Sequence, residues 1–105
     1  MARAQVLVID GVIVEEEISF TLGELCRACR VESDRLVALV QEGVLEPSGQ
    51  GPDDWTFSGP ALARARTALR LARDMELSAG GTALVLDLLE EIDQLQAKLR
   101  RAGLR

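Results

Sequence analysis

The chain has 105 residues, 48% of them hydrophobic, and a formal net charge of −5 at pH 7. That length suits a single domain, residues 1–105, with one extra element rather than two domains. No run of about 18 uncharged apolar residues occurs, which excludes a membrane-spanning helix.

Residues 4–9 and 12–18 are rich in Val and Ile and flank Asp10-Gly11. Asp-Gly between apolar runs predicts a β-hairpin. Glu15-Glu16-Glu17 breaks the alternation and fits a solvated strand end or a loop. Arg3 followed by QVLVIDGVIV is not a secretory signal, because Asp10 interrupts it and no small-residue cleavage site follows. The expected location is therefore cytoplasmic.

Residues 19–47 read as a helix–turn–helix. Thr21 with Glu24 three residues on is a capping-box start. Leu22, Leu25, Cys26 and Cys29 then share a face of a short first helix. Arg30 and Val31 make the turn. Ser33 is placed to cap a second helix carrying Leu36, Val37, Leu39 and Val40. Gly43 stands where a helix end calls for positive φ, and Pro47 stops that helix from resuming.

Cys26 and Cys29 form a C-x-x-C inside the first helix. A four-ligand zinc site would need more donors, and the chain has no histidine and no second cysteine pair. A redox pair normally sits at a helix N-terminus, where the dipole lowers a thiol pKa. Cys26 comes a turn too late for that. The expected role of both is packing, with no metal and no redox chemistry.

Ser48 to Asp54 is a turn-rich loop. Trp55-Thr56-Phe57 alternates as a half-buried strand does, and Val44-Leu45-Glu46 is its expected partner, the two forming a wing. Trp55 and Phe57 are expected to pack beneath it.

Ser58 and Pro60 start a third helix, with Leu62, Ala65, Leu69, Ala72 and Met75 as its apolar stripe. Arg64, Arg66, Arg70 and Arg73 lie on its other faces, and Arg70 is spaced to pair with Asp74. Ser78 is the expected cap of a fourth helix. There Val85, Leu88, Ile92, Leu95, Leu99 and Ala102 alternate spacings of three and four, a heptad seam. Leu84, Leu86 and Leu89 widen the apolar surface. Gly80 and Gly81 in the first turn suggest close approach of another backbone. Nothing else in the chain remains to cover Ile92 to Leu99, so a homodimer through this helix is expected, parallel or antiparallel. The segments are 1–18 (N-terminal strands), 19–59 (winged helix–turn–helix), 60–77 (third helix) and 78–105 (C-terminal dimerisation helix). The fold class is mainly α.

Charge is unevenly spread. Residues 1–59 hold four basic and eleven acidic side chains, −7 in all, whereas residues 60–105 hold eight and six, or +2. No nucleophile-plus-base spacing appears, and no carboxylates sit in an acid–base pattern. The inventory offers no catalytic residues and does not support an enzyme.

With these residues in view the chain resembles the chaperone modulator CbpM family, a relative of MerR-type winged helix–turn–helix proteins. The likeness runs from about Ile18 to Leu99. It is carried by FTLGELCRACRVESDRLVALVQEGVLEP, by WTF, and most specifically by LRLARDMELSAGGTALVLDLLEEIDQLQ. Arg30 departs from the glycine usual in such turns. The resemblance implies a dimer that needs no metal or cofactor. It implies binding to the J-domain of a CbpA/DnaJ-like co-chaperone, inhibiting both its stimulation of DnaK and its DNA binding. A J-domain binder of this type should present an acidic surface, for which Glu24, Glu32, Asp34, Glu42 and Glu46 are the candidates, with Asp53 and Asp54 at the wing tip. Charge complementarity would speed association more than deepen affinity.

The alternative is a MerR-like DNA-binding transcriptional regulator. Its second helix and wing would need cations for phosphate contacts. The second helix offers only Arg35, and the wing tip carries Asp53-Asp54, so the pattern argues against direct DNA binding. The basic patch, if any, is Arg64, Arg66, Arg70 and Arg73. A third reading is a dimeric scaffold without a J-domain partner.

Overall fold

The computed structural model describes residues 3–9 and 12–104, with side-chain surroundings given from Ser19 to Leu104. Two strands, β1 (Arg3–Ile9) and β2 (Val12–Thr21), pair antiparallel. The Asp10-Gly11 turn expected between them lies outside the described residues. The pairing register slips between Gln5 and Val6, an irregularity of the β-bulge type. β2 runs through Thr21, three residues beyond the expected strand end.

Four helices follow: α1 (Leu22–Cys29), α2 (Ser33–Gln41), α3 (Gly59–Met75) and α4 (Ala79–Arg101). A short strand β3 (Thr56–Ser58) precedes α3. Thr21 caps α1 reciprocally with Glu24. The Thr21 Oγ1 accepts from the Glu24 N–H at 3.1 Å, and the Glu24 Oε1 accepts from the Thr21 N–H at 2.9 Å. Ser58 and Ser78 cap α3 and α4 through bonds from the Ala61 and Gly81 N–H groups. Ser33 does not cap α2. It is the first helical residue, and Glu32 holds the cap position without a side-chain bond.

Arg30 ends α1 in the left-handed region, φ 58°, and Glu76 ends α3 likewise, φ 53°. A non-glycine residue there costs about 1 kcal/mol. Tight C-terminal hydrogen bonds accompany both, from Val31 N–H to the Cys26 carbonyl and from Leu77 N–H to that of Ala72. Gly43 has φ 78°, as its place after α2 requires.

The wing differs from expectation. Thr56-Phe57-Ser58 pairs with Ser19-Phe20-Thr21 of β2, in the sheet order β1-β2-β3. Val44-Leu45-Glu46 forms no strand. Instead Val44 and Leu45 turn into the core, because two consecutive apolar side chains after Gly43 are worth more buried than alternating on an edge. The wing closes by a single bridge from Ser48 to Thr56, with both backbone bonds at 2.9 Å. Within its loop Gly49 has φ 116°, and a Cβ there would stand 2.5 Å from the Asp54 carbonyl oxygen. Only glycine fits.

Every element from α1 onward contributes to one core: Leu25, Leu36, Leu39, Val44, Leu45, Phe57, Ala65, Ala68 and Leu86. Trp55 meets Phe57 edge to face at 6.1 Å and is half-buried, whereas Phe57 is fully buried. On α3 the buried face is Ala65 and Ala68, and Met75, expected in the stripe, is exposed. The Arg70–Asp74 pair does not form; Asp74 pairs with Arg73 at 3.3 Å.

Candidate partner-binding surfaces

The five acidic candidates do not gather into one patch. Glu24 is half-buried and engaged in the cap of α1. Glu32 and Asp34 are exposed on the rim of a shallow hollow at the helix–turn–helix turn, which they share with Arg27, Arg30 and Arg35. Glu46 lines a different hollow beside Arg64 and Glu90. Glu42 reaches α4: its Oε1 would lie 2.9 Å from a Cβ added at Gly80. Within this chain, the close approach at Gly80 is that of the Glu42 carboxylate, at the C-cap of α2. A negative group against the first turn of a helix is favoured by the helix dipole. At the wing tip Asp53 is exposed, while the Asp54 Oδ2 accepts from the Gln50 N–H at 3.2 Å and so orders the loop.

The basic residues also rearrange. Arg64, read from sequence as part of a free basic face, turns inward. Its Nε donates to the Val44 carbonyl at 2.6 Å, and its Nη1 lies 2.7 Å from Glu90. It thus ties α3 to the end of the helix–turn–helix and to α4. The signal that could have found this is position: Arg64 lies one residue before the buried Ala65, beside the core face.

Cys26 and Cys29 are free, half-buried and packed against the core. Burial raises both thiols above their ordinary value. Glu32 adds to the rise at Cys26, and Arg66 partly offsets it at Cys29. A nucleophilic or redox thiol needs the opposite shift.

Among the described residues, most of the exposed large apolar side chains lie on α4. Thr82 and Leu86 are its only buried residues. Leu88 is 54% exposed, Ile92 and Leu95 48% and Leu99 39%. Leu84 and Leu89 are exposed beside them, Val85 is half-buried, and Leu86, expected to widen this surface, instead enters the core. Single exposed leucines are ordinary, but a continuous row over several turns is not. Among the described residues, no helix is long and apolar enough to cross a membrane.

Comparison with known proteins agrees with this layout. The family described as MerR HTH family regulatory protein matches residues 20–102. A protein of Coxiella burnetii (strain Dugway 5J108-111) named chaperone modulatory protein CbpM is 33% identical over 93 residues, covering 89% of this chain and 88% of that protein. Proteins of the same name from Pseudomonas putida (strain W619) and Pseudomonas entomophila (strain L48) are 36% and 35% identical over 81 residues, covering 77% of this chain and 80% of each.

Proposed function

We propose a function from one premise: this chain belongs to the CbpM family of MerR-type helix–turn–helix regulatory proteins. In this reading it is a chaperone modulator that binds the J-domain of a CbpA/DnaJ-like co-chaperone. It then inhibits that co-chaperone's stimulation of DnaK and its DNA binding. The observation that carries the reading is a likeness to proteins named as chaperone modulators that extends over 80–88% of their length. Exposed carboxylates on the helix–turn–helix support it, because a DNA reader needs cations there.

The contact residues in this reading are Glu32, Asp34, Glu42 and Glu46, all exposed. Glu24 contributes mainly by holding the start of α1. The active form is a homodimer joined along α4 through Val85, Leu88, Ile92, Leu95 and Leu99. The uncovered row on that helix is what supports the dimer.

Calorimetry with the cognate J-domain tests the reading. A saturable complex is expected, weakened by Asp34→Arg or Glu46→Arg and less sensitive to salt in those variants. No heat and no complex on a sizing column would end it. Tight duplex binding in a gel shift at physiological salt, with no response to a J-domain, would replace it by the MerR-like transcriptional reading.

A further inference from the structure

Seven arginines lie between residues 19 and 77. All but Arg64 line three adjoining hollows: Arg27, Arg30 and Arg35 at the helix–turn–helix turn, and Arg66, Arg70 and Arg73 on α3. Arg30 belongs to two of these hollows and joins the groups. We propose that the cleft between the end of α1 and α3 binds an acidic polypeptide segment that also carries apolar side chains.

The first argument is uncompensated charge. Arg66, Arg70 and Arg73 follow at spacings of four and three and so share one face of α3, where like charges repel. Arg30 faces them across the cleft. Among the described residues, the only ion pair in this group is that of Arg73 with its exposed neighbour Asp74. Among the described residues, Arg30, Arg66 and Arg70 have no carboxylate partner. Helix dipoles account for Arg30 and Arg73, each at a helix C-terminus. They do not account for Arg66 in the middle of α3.

The second argument is the floor of the cleft. Cys29 and Leu69, both half-buried, and Ala28 lie among the guanidinium groups. A free anion has no use for an apolar floor, whereas a segment alternating acidic and apolar residues has. Guanidinium forks hold carboxylates in paired hydrogen bonds. A nucleic acid fits less well, because Glu32 and Asp34 border the adjoining hollow. Phosphates continuing along a duplex would run onto those carboxylates and be repelled. The cleft uses cations and not the carboxylates assigned to a J-domain, so either reading can fail without the other.

The test is fluorescence anisotropy with a labelled peptide of alternating glutamate and leucine, and a lysine–leucine peptide as control. The acidic peptide is expected to bind the full chain and to weaken with added salt. Arg66→Glu with Arg70→Glu should cost at least about tenfold in Kd. Arg66→Lys with Arg70→Lys, which keeps charge and fold, should cost less. Arg100→Glu with Arg101→Glu, at the far end of α4, should change nothing. In a Cys26→Ser chain, bound peptide should slow alkylation of Cys29 by iodoacetamide. Failure to bind the acidic peptide, or equal losses in the Arg100/Arg101 variant, overturns the proposal. So does duplex DNA binding through Arg66 and Arg70 without peptide binding. A change in oligomer mass on charge reversal, with no peptide present, assigns the cleft to a second copy and overturns it too.

Discussion

Gly80 in the first turn of α4 sets two effects of similar size against each other. Replacing a helical glycine by alanine removes backbone freedom from the unfolded chain, worth about 0.5–1 kcal/mol. The new methyl, however, would stand 2.9 Å from the Glu42 carboxylate oxygen. That oxygen is the end of a flexible side chain, so it moves aside and the backbone holds. Moving it gives up the interaction of a carboxylate with the α4 N-terminus, worth about 0.3–1 kcal/mol. Gly80→Ala alone should therefore leave stability nearly unchanged. In a Glu42→Ala background no carboxylate is displaced, and the same substitution should stabilise by the full amount, raising Tm by several degrees (about 4–8 °C per kcal/mol). The four proteins of this double-mutant cycle should be melted at one fixed concentration, because self-association shifts Tm. A coupling of about 0.3–1 kcal/mol is expected. Additivity to within experimental scatter would refute the contact between Glu42 and the start of α4.

Leu88→Asp or Ile92→Asp should give monomers by light scattering while the helical signal persists; an unchanged mass would contradict the α4 seam. Arg64→Ala leaves the half-buried Val44 carbonyl without its 2.6 Å donor and Glu90 without its cation, so urea titration should show a loss of about 1–3 kcal/mol. Phe57→Ala empties the centre of the core beneath the wing and should cost about 3–5 kcal/mol by the same measurement. Both thiols are raised by burial, so the folded chain favours their neutral form. That contribution is complete at neutral pH and is lost as pH climbs through the raised values, and Cys26→Ala with Cys29→Ala should flatten the alkaline fall in the urea midpoint.

Caps and turns were the most legible features. Thr21, Ser58 and Ser78 each act through a hydrogen bond to a residue three positions on, so local spacing suffices to find them. Gly43 was legible for the same reason. The seam on α4 could be read as period, and its exposure follows from there being too few other elements to cover it. What sequence hid was decided by tertiary partners. Val44 and Leu45 have the composition of a strand, but β2 supplies the edge that β3 needs and the core takes their side chains. Arg64 looks like its neighbours Arg66 and Arg70 until the Val44 carbonyl is brought beside it. The acidic candidates were legible as charge but not as a surface, because the fold places Glu32 and Asp34 at one hollow, Glu46 at another, Glu24 in the α1 cap and Glu42 against α4.

Thr21 ends β2 and at the same moment starts α1, leaving no slack between sheet and helix. One extra residue at that junction would turn α1 by about 100° about its axis, or else flip the strand's alternation. Either way Leu25 would swing out of the core. The junction is thus intolerant of length, and a single-codon insertion after Thr21 would do more harm than most exchanges of one amino acid for another on the surrounding surface.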